Sequence, residues 1–435
     1  MRMMPSEVPS PRPDRRPRSK MPCRRSKNNR RLLAAALGLL AAVLPAPRVN
    51  AQLAYPGQAV HTSERRPQMD SLSPPSTAPD TQDIARVVPK IELSGVLFAN
   101  FQYRLLPDRD HGSNKFDVER AYLTFRARAG ERISVRVTAD LFQQTAEGRD
   151  SYYKGWSLRA KYAYMQYQFP ERAGWQAAAR IGLLHTVLID HDERFWPRWI
   201  STTPTEAAGY FSSADAGVAA SAIFPRKLGE LYLTVTNGPG YISRETDRFK
   251  DYALRLTFAP WAGSARALRF LQLSAWGYKG AVGSAFAQGG AGQTGTVGSA
   301  LRRNRVGAHL GAAHPNATLA IQYAWREDGG EAGDNTMLSP RLVSDSAGGL
   351  ASAYAILRPL ALARRTPIPL SVLARVDRVT SNHVTGLRRD VFIGGLIWDM
   401  SKEASVSVDY QRLRPGDTNP LPPSETFFVH FVARF

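Results

Sequence analysis

The sequence predicts an all-β fold, a transmembrane antiparallel barrel of about 16 strands, on three observations. From Ile91 onward, apolar and polar residues alternate through segments of roughly 10 to 14 residues. The connections between these segments alternate short and long. The last segment keeps an apolar face up to the final residue, Phe435.

The alternation is sustained. Ala121, Leu123, Phe125 and Ala127 share one face, against Arg120, Tyr122, Thr124, Arg126 and Arg128. Ile133, Val135, Val137, Ala139 and Leu141 oppose Ser134, Arg136, Thr138 and Asp140. Leu319, Ile321, Tyr323 and Trp325 oppose Gln322 and Arg326, and Ala404, Val406, Val408 and Tyr410 oppose Ser405, Ser407, Asp409 and Gln411. A period of two means strands with one apolar and one polar face. A soluble β-sandwich alternates in the same way, so the connections decide. Short ones fall at 129–132, 170–174, 225–229, 313–316 and 401–403. Long ones fall near 105–113, 145–155, 185–214, 238–248, 279–300, 327–348 and 412–424. Short turns at one rim and long loops at the other are the asymmetry of a bacterial membrane barrel. Two connections depart from it, a long turn near 359–366 and a short loop near 380–387. In 156–169 and 267–278 aromatics occupy both faces and blur the register.

Phe427, Phe431 and Phe435, with Val429 and Ala433, form one face of the last strand. Pairing this barrel-closing strand with the first removes both sheet edges. It resembles the C-terminal recognition strand of outer-membrane proteins. Tyr103, Trp156, Phe169, Trp175, Phe258, Trp261, Trp325 and Trp398 crowd strand ends, as interfacial girdles do.

Ahead of the barrel, residues 1–51 read as a signal peptide. Basic Arg24 to Arg31 precede the 13-residue apolar run Leu32 to Leu44, too short to span a bilayer, then Pro45 and the small-residue site Val49-Asn50-Ala51. Met21 is an alternative start. Residues 52–90, rich in Pro, Ser and Thr, read as a disordered periplasmic lead. The barrel occupies 91–435. After Ala51 no run of 18 apolar residues occurs, which argues against helical spans. The mean hydropathy of −0.31 would suit a soluble chain, but in a barrel the polar lumen face dilutes the apolar signal. Cys23, the only cysteine, lies in the expected leader, so the mature chain has no thiolate chemistry.

The formal charge is +20. The leader carries ten Arg and two Lys against Glu7 and Asp14, so its removal leaves 45 basic and 35 acidic residues, or +10. That excess reads either as solvated loop charge or as a lumen that attracts anions. Basic residues dispersed along strands speak against a nucleic-acid partner. By strand parity, Arg120, Arg126, Arg128, Arg136, Arg159, Lys161, Arg180, Arg255, Arg326 and Arg375 face the lumen. Guanidinium columns in a narrow pore present fork donors to anions, unless each pairs across the lumen with Asp140, Glu119, Asp251 or Asp377. The long third loop, His185 to Ala214, holds His185, Asp190, His191, Asp192, Glu193, Arg194, Phe195, Trp196, Arg198 and Trp199. An external loop would expose those aromatics, whereas one folded inward buries them. Its interleaved carboxylates and arginines point to mutual ion pairs rather than a metal site. No catalytic motif is present, and no cofactor is implied.

The VERAYLTFRAR strand followed by ISVRVTADLF, then KYAYMQYQF, WQAAARIGLL and the return at SSADAGVAASAIF, resemble the phosphate-selective porin O and P family over Ile91 to Phe435. The resemblance implies a 16-stranded homotrimer in the bacterial cell outer membrane, in contact with its lipid. It also implies a third loop that narrows the pore and basic residues that favour small anions. The expectation is a passive channel for small hydrophilic solutes with anion preference, phosphate included, and no enzyme. The alternative is a barrel with a non-channel role, such as an enzyme or adhesin. The Pro-rich lead departs from family members that carry a coiled coil there.

Overall fold

The computed structural model describes residues 91–143, 155–243, 245, 247–264, 266–283, 300–329, 346–363, 369–383 and 385–435. The expected signal peptide and lead lie outside these residues, as do parts of the long connections near 145–155, 279–300 and 327–348.

Among the described residues, sixteen strands follow one another. The first four are β1 (Ile91–Leu106), β2 (Asn114–Arg128), β3 (Ile133–Gln143) and β4 (Trp156–Gln168). Next come β5 (Gln176–His185), β6 (Ala214–Ile223), β7 (Gly229–Thr236) and β8 (Asp251–Phe258). The third group is β9 (Leu271–Gly283), β10 (Ala300–His314), β11 (Ala317–Asp328) and β12 (Ser346–Leu357). The last is β13 (Leu370–Asn382), β14 (Leu387–Asp399), β15 (Ala404–Pro415) and β16 (Ser424–Arg434). Every strand pairs antiparallel with its sequence neighbours, and β1 pairs with β16, so the sheet is a closed barrel without edges. Closure runs through Leu97 opposite Ala433, Ala99 opposite Phe431 and Tyr103 opposite Phe427.

The two faces are distributed inside out relative to a soluble protein. On β13, Ser371, Arg375 and Asp377 are buried while Val372 and Val376 are exposed. Across the barrel, Asp140, Asp251, Ser274, Ser407 and Asp409 point inward, whereas Leu254, Leu256, Ile321, Leu396, Val408 and Phe431 cover the outside. In water each exposed large side chain would forfeit roughly 1.5–3 kcal/mol of burial. In hydrocarbon the same face is the stable one, and the closed ladder satisfies the strand backbone internally.

One bulge resolves the blurred register of 156–169, and the other blurred segment, 267–278, opens with a 3-10 turn over Ala267–Phe270 before β9 begins. Between Thr138 and Ala139 the β3–β4 pairing slips, so Thr138 opposes Tyr162 and Ala139 opposes Ala160. Lys161 and Tyr162 then both turn inward: the Lys161 amine donates to Tyr122, and Tyr162 packs edge-on to His185. On β9, Ser274 and Trp276 face the lumen and Leu273 the outside.

Candidate functional site

The 28 residues of 186–213, between β5 and β6, fold into the barrel. Leu188 leads into a single helical turn, α1 (Ile189–Asp192), and Pro204, pre-set for a first helical position, opens a second, α2 (Pro204–Ala207). Asp192 joins the two halves: its Oδ2 accepts from Thr205 Oγ1 at 2.8 Å and from Gln322 Nε2 of β11 at 3.3 Å.

Aromatic side chains seat the loop on the wall. Phe195 packs on His309, Trp196 on Tyr354, Trp199 beside His430 and Phe211 on Trp276. All four loop residues are buried. The loop's backbone carbonyls are met by side chains from successive strands. Arg255 Nε donates to Val187 O at 2.7 Å, Arg375 Nη1 to Thr202 O at 2.6 Å, Arg389 Nη2 to Ala207 O at 2.7 Å and Gln411 Nε2 to Ile200 O at 3.1 Å. Arg326 reaches Ala208 O at 3.4 Å, and Arg305 donates to Tyr210 O. The loop therefore lies against strands from β8 to β16. Arg255, Arg326 and Arg375, which parity alone placed along the pore, face inward but lie beneath the loop and hold it. Among the described residues, Arg305, Arg389, Gln411 and Ser274 are anchors that sequence reasoning missed, although each stands at an inward position of its strand.

The wall of β2–β5 is left to face the loop. Arg126 stands directly opposite Arg136 across the β2–β3 pair. Arg136 stacks over Tyr162, and Arg180 donates to Gln166 at 2.7 Å and lies near the rings of Tyr164 and Tyr232. His185 Nε2 is 3.2 Å from both Arg136 Nη1 and Asp190 Oδ2. The Asp190 side chain keeps 39% of its surface exposed. Partial enclosure opposes its ionisation, but His185, Arg136, Arg180 and Arg194 outweigh that and hold its carboxyl below the usual range. Toward the β2 start, Asp140 takes Arg120 at 3.2 Å and Arg159 at 3.0 Å, so this pair is neutralised in part. Arg128, at the β3 turn, is exposed.

The loop's own charges pair. Arg198 bridges Glu193 at 3.0 Å and Glu206 at 2.5 Å, and Arg194 meets Glu230 of β7 at 3.3 Å. His191 Nδ1 lies 3.2 Å from Asp192 Oδ1, and its Nε2 lies 2.8 Å from Ser274 Oγ. Burial, then Arg255 and Arg194, push this imidazole well below its usual range, so it is neutral. Ser274, His191 and Asp192 are arranged like a hydrolytic triad, but all three are fully buried. No described group of His, Cys, Asp and Glu has metal-site geometry.

Solved structures share this architecture. An anion-selective porin from Comamonas acidovorans superposes with a TM-score of 0.52 at 11% identity, over 80% of this chain and 100% of its own. The fold is porin-like. The outer membrane channel DcaP of Acinetobacter baumannii gives a TM-score of 0.51 at 11% identity, over 80% of this chain and 97% of its own. In-vitro folded OmpT, an outer membrane protein of Vibrio cholerae in a trimer form, gives 0.51 at 9% identity, over 80% and 99%. No protein-family model matches the chain, and no curated protein matches its sequence. The porin-like barrel is thus shared with bacterial outer-membrane proteins at identities that carry the fold.

Proposed function

We propose that the chain is a bacterial outer-membrane porin, a passive channel for small hydrophilic solutes that prefers anions. Its constriction lies between the 186–213 loop and the β2–β5 wall. The observation that carries this reading is the Arg126–Arg136 cross-strand pair, with Arg180 on the same wall. Like charges placed directly opposite on neighbouring strands destabilise a sheet; Glu92, opposite Arg126 on β1, offsets part of that repulsion, and an anion entering the passage offsets more. A low-dielectric wall focuses the resulting field into the channel.

Phosphate is the first anion to examine, because the strand motifs resemble the phosphate-selective porin family and guanidinium forks match phosphate oxygens. Three such barrels form the assembly, by the same resemblance and by the trimer form of the Vibrio cholerae protein of similar fold. Among the described residues, the triad-like contact set Ser274–His191–Asp192 is sealed between loop and wall, which supports a channel over a hydrolase. Purified protein in a planar bilayer tests the reading. Stepwise chloride conductance that millimolar phosphate reduces is expected, and a bilayer without steps contradicts it.

A further inference from the structure

The outward faces of β13 to β16 each change character toward the long-loop rim. Rising from the short-turn rim, they read Val372, Ala374 and Val376 on β13 and Trp398, Leu396 and Phe392 on β14. On β15 they read Val406, Val408 and Tyr410, and on β16 Phe435, Phe431 and Phe427. One outward step further, each face turns to charge. Arg378 opposes Asp390, which opposes Arg414 on the next strand, and Arg412 opposes Glu425. Arg388 follows Asp390 on its own face.

The carboxylates here are outnumbered. Asp390 receives Arg378 Nε at 2.8 Å, has Arg388 Nε at 3.7 Å and stands opposite Arg414. Glu425 is engaged by Arg412 at 2.8 Å. Arg378 and Arg388 keep 45% and 46% of their side chains exposed; Arg378 spends Nε and Nη2 on Asp390, which leaves its Nη1 free of that pair. Four guanidiniums against two carboxylates thus border the aromatic residues Phe392, Tyr410 and Phe427 on the long-loop side, with Arg412 directly opposite Phe392. Aromatics so placed mark the headgroup level of a bilayer.

We propose that this patch binds the phosphorylated headgroup of an outer-leaflet glycolipid. The exposed guanidiniums of Arg388 and Arg414, with the remaining Nη1 of Arg378, take the sugar-linked phosphates, and the aromatic residues beside them take the start of the acyl chains. The inference rests on the outer-membrane reading, with the long loops outward, but not on the anion preference of the passage.

The test uses the full chain folded in detergent and native mass spectrometry. The probes are bisphosphorylated lipid A, its dephosphorylated counterpart and inorganic phosphate. Wild type should retain the bisphosphorylated lipid. The triple variant Arg378→Gln, Arg388→Gln, Arg414→Gln should bind it roughly tenfold or more weakly, since each lost cation near a charged surface subtracts from affinity. The Asp390→Asn variant should bind it more tightly, and this carries the test should the triple variant fail to fold. Heat-modifiable mobility and single-channel conductance should be unchanged, because these residues face away from the lumen. Equal binding by wild type and triple variant would overturn the proposal. So would equal binding of dephosphorylated lipid, or displacement by inorganic phosphate. A wild-type chain that does not insert into vesicles would instead overturn the barrel reading beneath it.

Discussion

The ring of Phe435 lies on Gly95. The two residues exchange backbone hydrogen bonds, Gly95 N to Phe435 O at 2.9 Å and Phe435 N to Gly95 O at 3.0 Å. A Cβ at Gly95 would collide with the terminal ring. The first and last strands therefore meet through a position without a side chain, and the final aromatic occupies the space. Replacing Gly95 with Leu should cost roughly 1–3 kcal/mol in overpacking at the seam, and deleting Phe435 should remove the contact altogether. Both variants should assemble poorly, seen as loss of the heat-modifiable band. Normal assembly of the Phe435 deletion would show that closure does not depend on this residue.

Asp192 accepts from Thr205 and Gln322 while touching His191. Asp192→Ala leaves those buried groups without their acceptor, at a cost of roughly 1–3 kcal/mol each in the worst case. The loop should loosen and single-channel noise should rise, with barrel assembly intact. Quiet recordings indistinguishable from wild type would show that the aromatic contacts alone hold the loop.

Shortening the loop across Phe195 to Trp199 should widen the path and raise conductance. Unchanged conductance in a folded deletion would place the constriction elsewhere.

The His191 imidazole, held neutral by burial, Arg255 and Arg194, titrates in the folded loop well below 6.5. A depressed histidine adds stability at high pH, and that stability is lost as pH falls below about 6.5 toward the folded value. Asp192, raised by burial, acts in the opposite sense. Conductance noise should therefore grow between neutral and mildly acid pH, and His191→Gln should flatten that dependence. An equal pH response in the variant would assign it to other groups.

The barrel was legible because period two, the alternating connections and the terminal Phe each report local rules that the closed sheet obeys. Parity also set which side Arg136, Arg180 or Arg375 faces. It could not separate an arginine in the passage from one under the loop, because that depends on contacts such as Arg375 to Thr202, 173 residues apart in sequence. Strict alternation likewise fails at Tyr162, where a bulge adds one residue to β4. Anchors such as Ser274 carry no motif; only the path of the loop brings His191 to it.

The claim that the Arg126–Arg136 wall selects anions is tested most directly by the reversal potential under a KCl gradient, measured for wild type and for Arg126→Ala, Arg136→Ala. Wild type should reverse on the chloride side of zero, and the double variant should move toward the potassium side with conductance retained. A wild-type channel that reverses on the potassium side would contradict the account.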